Sequence, residues 1–214
     1  MELAMSDALR PRPPQTDPLL TPQNAVLALI DYQPEQYRGV HSVDHDELLL
    51  HVTTLGEIAT AYALPVVLST VFVQHGMSAT NAELLAALPG VPEIDRTSMN
   101  AWEDEAFRAA IVQTGRRKLI VAGLWSEICV AFPVLDALRE GYEVYFVADA
   151  IGGVSPAAHQ AAMQRMVQAG AVPVSVIGLA GELQRDWARE ETAPAMRRIM
   201  RSYFAGMAAL RRAS

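Results

Sequence analysis

Five continuous apolar runs, separated by stretches of helical periodicity, constrain the fold of this chain more than any other feature. They are residues 24–30 (NAVLALI), 65–73 (PVVLSTVFV), 118–123 (KLIVAG), 143–147 (EVYFV) and 172–176 (VPVSV). Alternating strands with one wet face would show every second residue polar. Unbroken apolar runs of this length instead suit strands covered on both faces, as in a parallel sheet. A short extended piece at 92–95 adds a sixth strand.

The segments between the runs read as helices. Residues 44–63 carry Leu48, Leu49, Val52, Leu55, Ile58, Ala59 and Tyr62 at helical spacing, and 79–88, 103–114, 126–140, 156–169 and 179–189 follow. Gly115, Gly141 and Gly170 stand just past three of these, where a left-handed residue often ends a helix. Strict alternation of strand and helix predicts an α/β fold: a three-layer α/β/α sandwich around a mainly parallel six-stranded sheet.

The main domain is expected over residues 24–190. Before it lies an arm, residues 1–23, with Arg10, Arg12 and five prolines. The arm lacks the apolar core of a signal peptide and reads as disordered or draped on the surface. After the domain, 191–214 holds an amphipathic helix with Met196, Ile199, Met200, Tyr203, Phe204, Met207 and Leu210 on one stripe. That stripe either packs on its own subunit or reaches a neighbour. Exposed patches of that size are uncommon on monomers, so a homo-oligomer larger than a dimer is expected.

Three function classes are disfavoured. A net charge of −7 argues against a nucleic-acid partner. No apolar run nears the roughly 20 residues of a membrane helix. One cysteine permits no intrachain disulfide. A cytoplasmic location is the default expectation. Neither G-x-G-x-x-G nor a P-loop motif is present, and Gly152-Gly153 reads as a turn.

In open α/β sheets, ligands bind beyond the carboxyl ends of the strands. Asp31 ends the first apolar run, Arg96 follows the short extended piece, and Cys129 comes a few residues past the strand ending at Gly123. A carboxylate closing an apolar run is costly unless paired or used, though it also suits a cap. A lone cysteine is usually a small core hydrophobe. Here, however, Ser126 is placed to cap the next helix, which would put Cys129 in its first turn, where free N–H groups favour a thiolate.

Three segments carry a family resemblance. Residues 26–33 (VLALIDYQ), 96–102 (RTSMNAW) and 122–130 (AGLWSEICV) resemble, in order and spacing, the motifs of isochorismatase-like cysteine hydrolases. Residues 129–133 (CVAFP) with 182–187 (ELQRDW) resemble the YcaC-related subgroup. The resemblance implies a catalytic triad of Asp31, Arg96 and Cys129, with arginine where most members have lysine. It also implies a non-proline cis peptide at Leu124–Trp125, and an oxyanion hole from the Trp125 and Cys129 amides. Arginine cannot shed its proton as a buried lysine can, so Arg96 is expected to act as a fixed cation.

Gln33, Phe72, Asn100, Trp102 and Trp125 adjoin the motifs and are the expected pocket walls, with Tyr32 beside them. The metal-binding family members use an Asp-x-His motif after the second strand. Here His75 stands alone there, and His41, His45 and His51 read as a solvated face. No metal and no other cofactor is expected. The function so implied is hydrolysis of a C–N bond in a small amide or carbamoyl-type substrate through a thioester. The alternative is a non-catalytic or redox-sensing thiol protein that kept the fold.

Overall fold

The computed structural model describes residues 12–213. Its strands are β1 (Ala25–Ile30), β2 (Val66–Val71), β3 (Glu93–Arg96), β4 (Lys118–Gly123), β5 (Glu143–Val147) and β6 (Val172–Val174). All neighbours pair in parallel, in the order β3-β2-β1-β4-β5-β6. Every residue of β1 and β4 is buried, as sequences that are apolar but for Lys118 at the start of β4 lead one to expect. The chain moves outward from β1 through β2 to β3, then returns to β4 on the other side of β1. The order therefore reverses between β1 and β4, and the carboxyl ends of these two strands are where an open α/β sheet binds its ligands.

The helices are α1 (Pro34–Arg38), α2 (His45–Ala61), α3 (Ala82–Ala87), α4 (Glu105–Gln113), α5 (Ala131–Arg139), α6 (Pro156–Ala169), α7 (Val176–Gln184) and α8 (Ala193–Ala213). Local chemistry fixes several of their ends. The Asp44 carboxylate accepts the Glu47 N–H at 2.9 Å to start α2, and Ser155 Oγ accepts the Ala158 N–H at 3.1 Å to start α6. Gly170, with φ 108°, closes α6. The last domain helix begins earlier than its apolar spacing suggests, at Val176, because Ser175 caps it.

Residues 126–140 depart from the expected single helix. They divide into a π-helical turn, Ser126–Val130, followed by α5. Trp125 occupies the cap position with no side-chain bond, so Ser126 is not the cap.

The described part of the arm is fastened rather than loose. Lys118 Nζ, almost fully buried, donates to the carbonyls of Asp17 (2.8 Å), Pro18 (3.0 Å) and Leu19 (3.3 Å). Arg185 Nη2 reaches Asp17 Oδ2 at 3.0 Å, and Leu20 is fully buried. Residues 1–11 of the expected arm lie outside the described residues.

Helix α8 is part of the core. Met196, Ile199 and Tyr203 are buried, and the helix packs on α2. Each such side chain contributes about 1.5–3 kcal/mol, so the first half of the stripe is satisfied within the subunit. His51 on α2 is also buried and does not belong to a solvated face. Its ring stacks on Tyr203 at 5.7 Å and bonds the Asp149 carbonyl through Nδ1.

Candidate active site

Asp31 follows β1 in a left-handed conformation, φ 60°, uncommon for a residue other than glycine and frequent at functional turns. Its N–H donates to Ser69 of β2 at 2.9 Å, and its side chain is fully buried. Arg96 is the last residue of β3, two strands away. Its side chain crosses the end of β2 and grips Asp31 with both terminal nitrogens: Nη1 to Oδ1 at 2.6 Å and Nη2 to Oδ2 at 2.8 Å. Nη1 also donates to Ser69 Oγ (3.2 Å) and to the Thr70 carbonyl (3.0 Å). Such a forked pair suits guanidinium geometry and no lysine could reproduce it. Burial works against the Arg96 charge, but the Asp31 carboxylate outweighs it and raises the guanidinium pKa above its ordinary value.

Cys129 arrives from β4. Gly123 closes that strand beside Ile30, where a Cβ would stand 2.7 Å from the Ile30 carbonyl oxygen. The chain then bends through a cis peptide at Leu124–Trp125 into the π turn. The thiol is buried, and two neighbours act on its acidity in opposite senses: the Asp31 carboxylate disfavours the thiolate, and the Trp125 backbone N–H favours it. Burial pushes the Cys129 thiol up, helped by the Asp31 charge and opposed by Arg96, to about 12. The thiolate-favouring helix terminus expected from the sequence is therefore not what governs this cysteine. It lies within a π turn beside a carboxylate, and burial dominates.

The structure thus brings Asp31, Arg96 and Cys129 together. The expected wall residues serve mostly as scaffolding. The fully buried Gln33 amide clamps Val71 (N–H to Oε1, 2.9 Å; Nε2 to the carbonyl, 2.9 Å) and the Ser78 carbonyl (2.7 Å). Asn100 Nδ2 donates to Asp136 on α5 at 2.7 Å, and buried Trp102 lies edge-on to Tyr142 at 5.3 Å. Trp125 Nε1 donates to the Gln36 carbonyl at 2.9 Å. Phe72 is the open one, 41% exposed at the end of β2 with φ 62°. Tyr32 donates from its hydroxyl to the Ala150 carbonyl. Among the described residues, no three His, Cys, Asp or Glu side chains cluster so as to hold a metal ion.

Four residues around this centre have contacts that the sequence did not show. Ser69 Oγ and the Thr70 carbonyl support Arg96, and a serine inside a buried apolar run was the available signal for the first. Ser126 shares a 2.7 Å hydrogen bond with His159 Nδ1 on α6, and nothing in the sequence marked that pair.

The isochorismatase domain model matches residues 25–177. The chain belongs to the isochorismatase family. Within the family it is YcaC-related: it is 37% identical over 169 residues to the probable hydrolase YcaC of Escherichia coli, covering 78% of this chain and 81% of that protein. YcaC from Pseudomonas aeruginosa, with hexane-2,5-diol and covalent acrylamide, matches with a TM-score of 0.78 at 33% identity over 88% of this chain and 98% of its own. The E. coli YcaC structure, an octameric hydrolase of unknown specificity, matches with a TM-score of 0.78 at 34% identity over 91% and 99%.

Proposed function

We propose that this isochorismatase-family hydrolase cleaves a C–N bond in a small amide or carbamoyl compound, with Cys129 as nucleophile. The observation that carries the reading is the buried, two-pronged Arg96–Asp31 pair holding a carboxylate against the Cys129 sulfur at the reversal point of the sheet. A thiol held near 12 is neutral at rest. Attack is therefore coupled to proton removal: Asp31 takes the thiol proton as the sulfur bonds the carbonyl carbon.

The electron pair of the carbonyl moves to its oxygen, which the Trp125 and Cys129 amides stabilise. The C–N bond then breaks, and the leaving amine takes the proton from Asp31. Water attacks the thioester, gives its proton to Asp31, and the acid departs as sulfur recovers the proton. Arg96 keeps its charge throughout and fixes the aim of the carboxylate. A redox-sensing role is poorly served here, because such thiols are acidic and accessible, whereas Cys129 is buried and its pKa raised. Incubation with a library of small amides and carbamoyl compounds, read by intact-protein mass spectrometry, tests the reading. An acyl adduct lost in Cys129→Ala supports it, and absence of adduct and turnover with every member overturns it.

A homo-oligomer larger than a dimer accompanies this function, as in the octameric E. coli relative. One flank of α8 supports it. Trp187 (52% exposed) lies under the Arg197 guanidinium at 5.8 Å, and Phe204 (57% exposed) stands two turns further along α8. The α8 sequence carries five arginines and no acid. An open groove of ≈ 890 Å³ bordered by α2, α3 and α8 offers the complement, with Leu49, Leu50 and Ala87 between Asp46, Glu57 and Glu83. A neighbour's Arg- and aromatic-rich flank matches that surface in charge and in apolar character.

A further inference from the structure

The nucleophile turn is tied to α6 by a pair of side chains that the chemistry above does not use. Ser126 is fully buried, and its Oγ shares a 2.7 Å hydrogen bond with Nδ1 of His159 in the first turn of α6. Its N–H donates to the Gly152 carbonyl at 2.8 Å, so backbone and side chain are both anchored to the segment that leads into α6. Ser126 stands between the two groups that matter most: Trp125, whose backbone N–H favours the Cys129 thiolate, and Cys129 itself. The amides of Ile128 and Val130 both return to the Trp125 carbonyl, at 3.1 and 3.3 Å, so displacement of one residue moves the whole turn.

We infer that Ser126 and His159 are positioning residues for the nucleophile, resting on the reading of Cys129 above. Their hydrogen bond fixes the turn that carries both Trp125 and Cys129, and with it the backbone amide that favours the thiolate. The contact leaves little room for drift. Glu127, the next residue, accepts the Val154 N–H at 3.1 Å through Oε1. Its Oε2 lies where a Cβ on Gly153 would come within 2.6 Å, and His159 Cβ would be 3.1 Å from the same Cβ. Burial lowers the His159 pKa, opposed by the Glu127 charge, so its imidazole is neutral near pH 7. A neutral ring offers Nδ1 to the serine as either acceptor or donor.

The test needs no substrate. The rate of Cys129 alkylation by acrylamide or iodoacetamide is followed by mass spectrometry between pH 7 and 9.5 in the full chain. Over that range, well below a pKa of about 12, the logarithm of the rate climbs linearly with pH, and its vertical offset reads the thiolate fraction. Ser126→Ala and His159→Leu should each label about tenfold more slowly, one pH unit of offset. The double variant should fall no further than either single one. His159→Asn, whose amide can hold the serine from nearly the same place as Nδ1, should recover most of the rate. Melting temperatures distinguish this from a general loosening, which would lower stability in all variants without the recovery. Wild-type offsets in both single variants, or effects that add in the double, overturn the inference. Failure of the amide library leaves these offsets unchanged, so the two readings fail separately.

Discussion

Replacing Asp31 by Asn should move two properties of Cys129 in opposite directions. In the native protein the carboxylate raises the thiol pKa, while Arg96 lowers it. The amide removes the repulsion and leaves the guanidinium, which is 0% exposed, without its counter-ion. Two charges about 4 Å apart interact by about 4 kcal/mol at an effective dielectric near 20. Relaxation reduces this, and an increase of about tenfold or more in alkylation rate at pH 8 is expected, at 1.4 kcal/mol per tenfold as an approximate conversion. Hydrolysis of any amide substrate should meanwhile fall by about 10²- to 10⁴-fold, the ordinary worth of a positioned proton-transfer group. Unpairing the buried arginine should also remove roughly 3–5 kcal/mol of stability, so labelling is measured where circular dichroism shows the variant folded. Labelling of Asp31→Asn slower than wild type would refute the reasoning, since Asp31 would then be generating thiolate in the resting enzyme rather than suppressing it.

Further expectations concern pH, the cation and assembly. Cys129 ionises near 8.5–9 when unfolded but near 12 when folded, so between those values the unfolded chain binds fewer protons and stability falls as pH rises. The loss approaches about 1.4 kcal/mol per pH unit and should be absent in Cys129→Ser, by denaturant titration at pH 7.5 and 10.5; equal losses in both would remove the thiol as the cause. Arg96→Lys keeps the charge but forfeits the two-pronged grip, so we expect a melting temperature several degrees lower and a kcat reduced at least about tenfold, from the loss of one charge-assisted hydrogen bond; full activity would mean that charge alone suffices. Phe204→Ser with Trp187→Ser should shift the light-scattering mass toward smaller species without unfolding the chain, because both side chains are more than half exposed; an unchanged mass would exclude that flank. Truncation after Thr192 is expected to unfold rather than merely dissociate the protein, since it removes buried Met196, Ile199 and Tyr203.

The buried strands were legible in the sequence because burial on both faces leaves a run almost wholly apolar, with its few polar residues, such as Lys118 and Ser69, held by buried hydrogen bonds. β4 and β5 fall on the residues their sequences delimit, 118–123 and 143–147. From a parallel sheet it follows that functional groups gather at the strand ends, and Asp31, Arg96 and Cys129 stood there in the sequence. The family motifs added which of them belong together. What pattern could not supply was distance and environment. Whether Arg96 touches Asp31 depends on β2 lying between their strands, with Ser69 and the Thr70 carbonyl bridging the gap. The acidity of Cys129 depends on how deeply its turn is buried, and a helix-start motif in the sequence pointed the other way. Asn100 and Trp102 stood within a motif yet turn to Asp136 and Tyr142, because nearness along a chain does not fix the direction of a side chain. Apolar periodicity reports which residues leave water, and so determined the elements and their layering. Electrostatics and hydrogen bonding act over a few ångströms between residues far apart in sequence, such as Ser126 and His159, so only the tertiary structure decided them.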